Sequence, residues 1–143
     1  MPLVFDVMGD PVGKARPRVV GGHAYTPDKT AAYEDRIRLA YKRAVKDRPE
    51  EERTFGKDAQ LSLSVSAFYR IPKRVNKTLR EAMMSFRERP RKKPDLDNIL
   101  KVVADALNGL AYHDDSQIVS MSATKYWSHD PYILIGITEV GGA

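Results

Sequence analysis

Acidic residues gather in two short stretches of a chain that is otherwise basic. Asp95 and Asp97 stand in Lys93-Pro94-Asp95-Leu96-Asp97-Asn98, and Asp114-Asp115 follow after one amphipathic run. Around them the chain carries 24 Lys and Arg against 19 Asp and Glu, a net charge of +5. Such a surface attracts a polyanion, and clustered carboxylates would repel it unless a cation lay between them. Hard oxygen ligands suit Mg²⁺, with Mn²⁺ as a substitute, and the metal turns a repulsive site into one that holds phosphate. The chemistry this implies is metal-dependent cleavage of a phosphodiester.

Each acid also has an ordinary explanation. Asp97 is well placed to cap the helix that follows, and an Asp-Asp pair commonly makes a polar turn. The combination favours chemistry. Asp95 and Asp97 are two apart, so in an extended segment both carboxylates point to one side. Lys101 lies four residues after Asp97 and Asp105 four after that, sharing a helix face opposite Ile99, Val103 and Leu107. A cation at Lys101 could steady a phosphate or stabilise charge in the transition state. Asp105 reads as an ordinary salt-bridge partner.

The absence of cysteine excludes disulfides, thiolate zinc sites and Cys–His catalysis, and three scattered histidines (His23, His113, His129) make an imidazole-rich metal site a poor fit. A length of 143 residues suits one domain, 1–143. No stretch approaches the roughly 18 apolar residues of a membrane span. The first ten residues lack the basic start of a signal peptide, so a cytoplasmic protein is expected. Nucleic-acid contact is expected from Lys14, Arg16 and Arg18 in one loop, from Lys73 and Arg74, and from Arg91, Lys92 and Lys93 beside the acidic turn.

These residues need elements to position them. Leu3 to Met8 reads as a strand, and Val19-Val20, Gly21-Gly22, Ala24-Tyr25 as a small hairpin. A helix opens at Thr26-Pro27-Asp28-Lys29-Thr30 and runs to about Lys46, with Tyr33, Ile37, Ala40, Tyr41 and Ala44 on its apolar face. Leu61 to Tyr69 alternates as a half-buried strand, stopped by Pro72. Thr78 caps a short helix to about Arg87. A third helix spans about Asp97 to Leu107, buries Ile99, Leu100, Val103, Ala104 and Leu107, and stops at Asn108-Gly109. Gln117 to Trp127 and Tyr132 to Val140 are the last strands. The order predicts an α+β domain, a mixed or antiparallel sheet packed by about three helices.

The set Lys93-Pro94-Asp95-Leu96-Asp97-Asn98, Lys101, Asp105-Ala106-Leu107-Asn108-Gly109 and Asp114-Asp115-Ser116-Gln117-Ile118-Val119 resembles the signature of RusA-type Holliday-junction resolvases. Lys14-Ala15-Arg16-Pro17-Arg18 and Tyr25-Thr26-Pro27-Asp28-Lys29-Thr30 resemble phage and prophage members of that family. The resemblance implies a small α+β homodimer, a Mg²⁺-dependent endonuclease that cuts four-way DNA junctions. By it, Asp95, Asp97 and Asp115 match the metal-binding aspartates, Lys101 the essential lysine, and Asp114 the adjacent acid as a further metal candidate. The competing expectations are a metal-dependent nuclease of flap or other branched DNA, a non-catalytic DNA-binding protein, and a basic RNA-binding domain.

Overall fold

The alternation of apolar and polar residues that marks strands in the sequence becomes, in space, burial on one face of a sheet. The computed structural model describes residues 2–16, 18–25 and 27–141, with the side chains of Arg18 and Tyr25 outside that description. Strand β1 (Leu3–Met8) buries Leu3, Phe5 and Val7. Strands β2 (Arg18–Val20) and β3 (His23–Tyr25) form the expected hairpin across Gly21 and Gly22, both of positive φ. Helix α1 (Asp28–Val45) follows, then a 3₁₀ turn (Glu50–Glu52), strand β4 (Leu61–Arg70) and helix α2 (Lys77–Met84). Helix α3 (Leu96–Leu107), a second 3₁₀ turn (Asp115–Gln117) and strands β5 (Ile118–Ser128) and β6 (Tyr132–Glu139) complete the chain.

The sheet order is β1-β6-β4-β5. β6 is antiparallel to both β1 and β4, whereas β4 and β5 run parallel. Parallel neighbours need a long crossover, and residues 71–117 supply it with α2 and α3. The fold is therefore α+β with a mixed sheet and three helices, as the sequence predicts. No helix among the described residues is long and apolar enough to cross a membrane.

One core unites the sheet and helices. From α1 it takes Tyr33, Ile37, Tyr41 and Val45; from α3, Ile99, Val102, Val103, Ala104, Ala106 and Leu107; from β6, Ile133, Ile135 and Ile137. Ala44, expected inward, is exposed, and Val45 takes its place. Asn76 rather than Thr78 caps α2, its side chain accepting from the Leu79 amide at 2.7 Å. That helix stops at Ser85 because Phe86 turns into left-handed backbone, φ 65°.

The topology also sorts the ends of the sheet. β1, β4 and β5 finish at one end, where β6 begins; β4 and β5 start at the other. This polarity decides where each candidate residue falls.

Candidate active site

Asp95 owes its position to the turn before it. The Tyr69 hydroxyl, near the end of β4, donates to the Pro94 carbonyl. Lys125 on β5 donates to the Lys92 carbonyl at 2.7 Å and lies 5.3 Å from the Tyr69 ring. Arg89 donates to the Lys125 carbonyl at 3.0 Å and sits 4.4 Å over the Tyr126 ring. From the opposite side the loop after β1 presses in: the Lys14 amide donates to the Asn98 carbonyl at 2.9 Å, and a Cβ on Gly13 would lie 2.9 Å from the Asn98 Cβ and 3.0 Å from the Pro94 Cβ. The turn, with its cis Lys93–Pro94 bond, is thus gripped from two sides.

Asp95, not Asp97, occupies the N-cap position of α3, and its carboxylate makes no capping hydrogen bond. Asn76 and Asp114 both cap with their side chains, so among the N-cap residues whose side chain can accept a hydrogen bond Asp95 is the exception. Asp97 lies in the first turn, accepting only from the Asn98 amide at 3.0 Å. Both aspartates are exposed. Burial holds the Tyr69 hydroxyl neutral, with a further push from the Asp95 charge, so that its pKa rises to about 12. A neutral hydroxyl can donate to Pro94 at any ordinary pH.

Lys101 projects from α3 with its side chain 64% exposed, 3.5 Å from Asp105. Lys14 is differently placed from what the sequence led us to expect. Its side chain is only 14% exposed and its ammonium lies 3.2 Å from Glu34 and 3.3 Å from Asp105, tying α1 to α3. A lysine so occupied has little to offer a phosphate. Arg16, Lys73, Arg74, Arg91, Lys92 and Lys93 are exposed, and the last five lie on the segments that leave β4 and lead to Asp95. Arg91 pairs with Glu88 at 3.1 Å. The side chain of Arg18 lies outside the described residues.

Asp114 and Asp115 belong to a separate brace. Hydrogen bonding with the Ser116 side chain, and with the Ser116 amide at 3.0 Å, holds the Asp114 carboxyl below the usual range. Gln117 accepts from the His113 and Asp114 amides and donates to the Gly56 and Ala59 carbonyls. The Tyr112 hydroxyl reaches the Ala104 carbonyl at 2.6 Å, locking this loop to the late part of α3. Capping is therefore the observed work of Asp114, while the Asp115 carboxylate is exposed and makes no hydrogen bond among the described residues.

Among the described residues no three Asp, Glu or His side chains converge on a point that could hold an ion. Asp115 lies three residues before Ile118, which pairs with Leu61 at the start of β4; Asp95 neighbours Tyr69 at its far end. Asp115 lies near Tyr112, whose hydroxyl reaches Ala104 in the later part of α3, whereas Asp95 and Asp97 stand at the start of that helix. The oxygen donors of Asp95 and Asp97 still suit a hard divalent cation. Mg²⁺ takes one or two carboxylates and completes its shell with waters and phosphate oxygens rather than a full protein cage.

Tyr69 and Lys125 are the positioning residues that sequence reasoning did not single out as such. The alternation of β4 could mark Tyr69 only as an inward residue, and Lys125 is a lone cation in a strand. Their shared task arises from the parallel pairing of β4 with β5, which no local pattern announces.

Comparison with known proteins agrees with this architecture. The family model described as "Endodeoxyribonuclease RusA" matches residues 8–138. Over 144 aligned residues, 96% of each chain, the protein is 36% identical to "Uncharacterized protein YqaN" of Bacillus subtilis (strain 168). It is 38% identical over 101 residues to the "Crossover junction endodeoxyribonuclease rusA" of Lactococcus phage r1t, covering 67% of this chain and 66% of that protein. With the match running through the acidic turn, α3 and strands β4, β5 and β6, the chain belongs to the RusA endodeoxyribonuclease family.

Proposed function

We propose that the protein is a Mg²⁺-dependent endodeoxyribonuclease that resolves four-way DNA junctions, acting in recombination and repair. The observation that carries this reading is the Asp95 carboxylate. It stands at a helix N-cap without capping, next to exposed Asp97, on the segment between β4 and α3 that carries Lys73, Arg74, Lys92 and Lys93, none of which makes an ion pair among the described residues. A purely structural aspartate would have turned to the helix amides, as Asp114 does.

Asp95 and Asp97 would hold the metal, which when bound supplies a water of lowered pKa and neutralises a non-bridging phosphate oxygen. The chain's own residues do the rest. Tyr69, Lys125 and Gly13 fix the turn so that the two carboxylates keep their spacing. The exposed cations draw the backbone of the DNA in and hold it without reading sequence. Lys101 stands one turn along α3 from Asp97, where its ammonium balances charge on the phosphate. In-line attack leaves a 5′-phosphate and a 3′-hydroxyl.

A four-way junction requires two symmetric nicks, and a two-fold homodimer supplies two sites. The separation of Asp115 from Asp95 and Asp97 gives that dimer a second use. A pairing that lays one copy's Asp115 beside the other copy's Asp95 and Asp97 assembles the full acidic set that a single chain divides.

The test is a labelled synthetic four-way junction, with linear duplex and flap controls, in Mg²⁺ and then EDTA. Wild type makes paired symmetric nicks in the junction only with Mg²⁺. Asp97→Asn binds the junction and does not cut it, because it keeps its shape and loses the charge that holds the metal. Preferential cutting of the flap would sink the junction assignment, and loss of binding in Asp97→Asn would sink the metal assignment.

A further inference from the structure

A groove of about 720 Å³ runs beside Asp95, between the loop after β1, the first turn of α1 and the acidic turn. Three cations line it from three separate segments: Arg16, Lys29 and Lys93. Among the described residues none of them makes an ion pair. Lys14 also borders the groove, but its charge is matched by Glu34 and Asp105. Among the described residues that line it, Asp95 is the one acid. The remaining wall is largely proline, valine, glycine and alanine, so little in it competes for the cations.

Resting on the nuclease reading, we infer that this groove seats the phosphodiester backbone of a single DNA strand and delivers it to Asp95, with Lys29 as a phosphate-positioning residue. Cations spread over three segments match successive phosphates of a chain better than one small anion, which would need them to converge. The volume is that of a small-ligand pocket, about 300–1,000 Å³, too small to enclose a duplex and enough for a short stretch of one strand. At a branch point the strands part, and a single backbone becomes free to enter. The groove thus makes the branch itself a condition of reaching the acidic turn.

Binding in EDTA, where no cutting occurs, tests this. Affinity for a short fluorescent oligothymidine and for a four-way junction is measured across a NaCl series. Lys29→Ala and Arg16→Ala each reduce the slope of log affinity against log salt by about 0.7, the loss of one single-strand phosphate contact. They weaken low-salt binding several-fold and leave the thermal midpoint unchanged. Lys42→Ala, about 20 Å along α1 from Lys29, keeps the wild-type slope. Wild-type slopes in both groove variants overturn the inference, even if the protein cuts junctions. Lys29-dependent binding by a protein that cuts no junction upholds the groove and removes the junction reading instead.

Discussion

At the scale of single residues, charge is either matched inside the protein or left for a guest, and the two lysines near Asp105 illustrate the difference. Lys101 is two-thirds exposed and its pair with Asp105 is a solvent-screened i, i+4 contact of small value, about 0.3–0.5 kcal/mol. Lys14 lies between α1 and α3 against Glu34, a residue only 8% exposed. Removing that ammonium leaves a largely buried carboxylate without its partner, which is the costly half of a broken pair. Asp105 retains Lys101, so the loss falls chiefly on Glu34. Lys14→Met is therefore expected to destabilise the fold by roughly 2–3 kcal/mol, read from denaturant midpoints at neutral pH. Adding Glu34→Gln to the same chain should recover part of it. A Lys14→Met protein as stable as wild type, but with weakened DNA binding, would return Lys14 to the role its sequence position first suggested.

At the scale of elements, the acidic turn is positioned by packing from both sides, and Gly13 shows how tightly. Its φ is ordinary, so the demand for glycine is steric: a methyl there meets the Cβ atoms of Asn98 and Pro94 at 2.9 and 3.0 Å. Both are near atoms of firmly held residues and cannot swing away. Gly13→Ala should therefore push the loop off the turn, weaken the Lys14–Asn98 backbone bond and cost about 1–3 kcal/mol, the usual range for overpacking. Cleavage should fall further than stability alone explains, measured as junction nicking well below the melting temperature; full activity would mean the turn does not depend on this loop. The local patterns of these elements were legible in advance. The period of two in Leu61 to Tyr69 and the apolar stripe of Ile99, Val103, Ala104 and Leu107 gave a strand and a helix where they stand. The choice of cap was not legible. Asp95 and Asp97 are equally good capping residues, Asn76 and Thr78 are both capping types, and the grip of Tyr69 on Pro94 lies 25 residues away in sequence. The parallel join of β4 to β5 is likewise set by which edge the crossover returns to, and neither strand records that in its own composition.

At the scale of the whole molecule, the same burial that fixes these elements sets an alkaline limit. Tyr33, Tyr41, Tyr69 and Tyr112 are all buried, and desolvation raises the pKa of each hydroxyl, that of Tyr69 to about 12. Below pH about 10 they are neutral folded or unfolded, and stability is intact. Above it the unfolded chain ionises while the fold does not, so stability drains away as pH climbs toward 12. Denaturant midpoints should fall over that window, with tyrosinate absorbance appearing together with unfolding; early, independent ionisation of these four would contradict their burial. The division of the acids across the molecule has a sharper consequence. If each site in the proposed dimer takes Asp95 and Asp97 from one copy and Asp115 from the other, then Asp97→Asn and Asp115→Asn are defective in complementary ways. Each homodimer is inactive. In a mixed dimer one site collects both substitutions and the other collects neither, so one intact site returns. Mixing the two inactive proteins under conditions of subunit exchange should therefore restore Mg²⁺-dependent nicking of a four-way junction, on one strand per binding event instead of two. If every site drew its acids from one chain, both sites of the mixed dimer would carry a substitution and no mixture would cut. Restored single nicks would tie the placing of Asp115 apart from Asp95 and Asp97 to assembly of the enzyme, and a silent mixture would mean that each site draws all its acids from one copy.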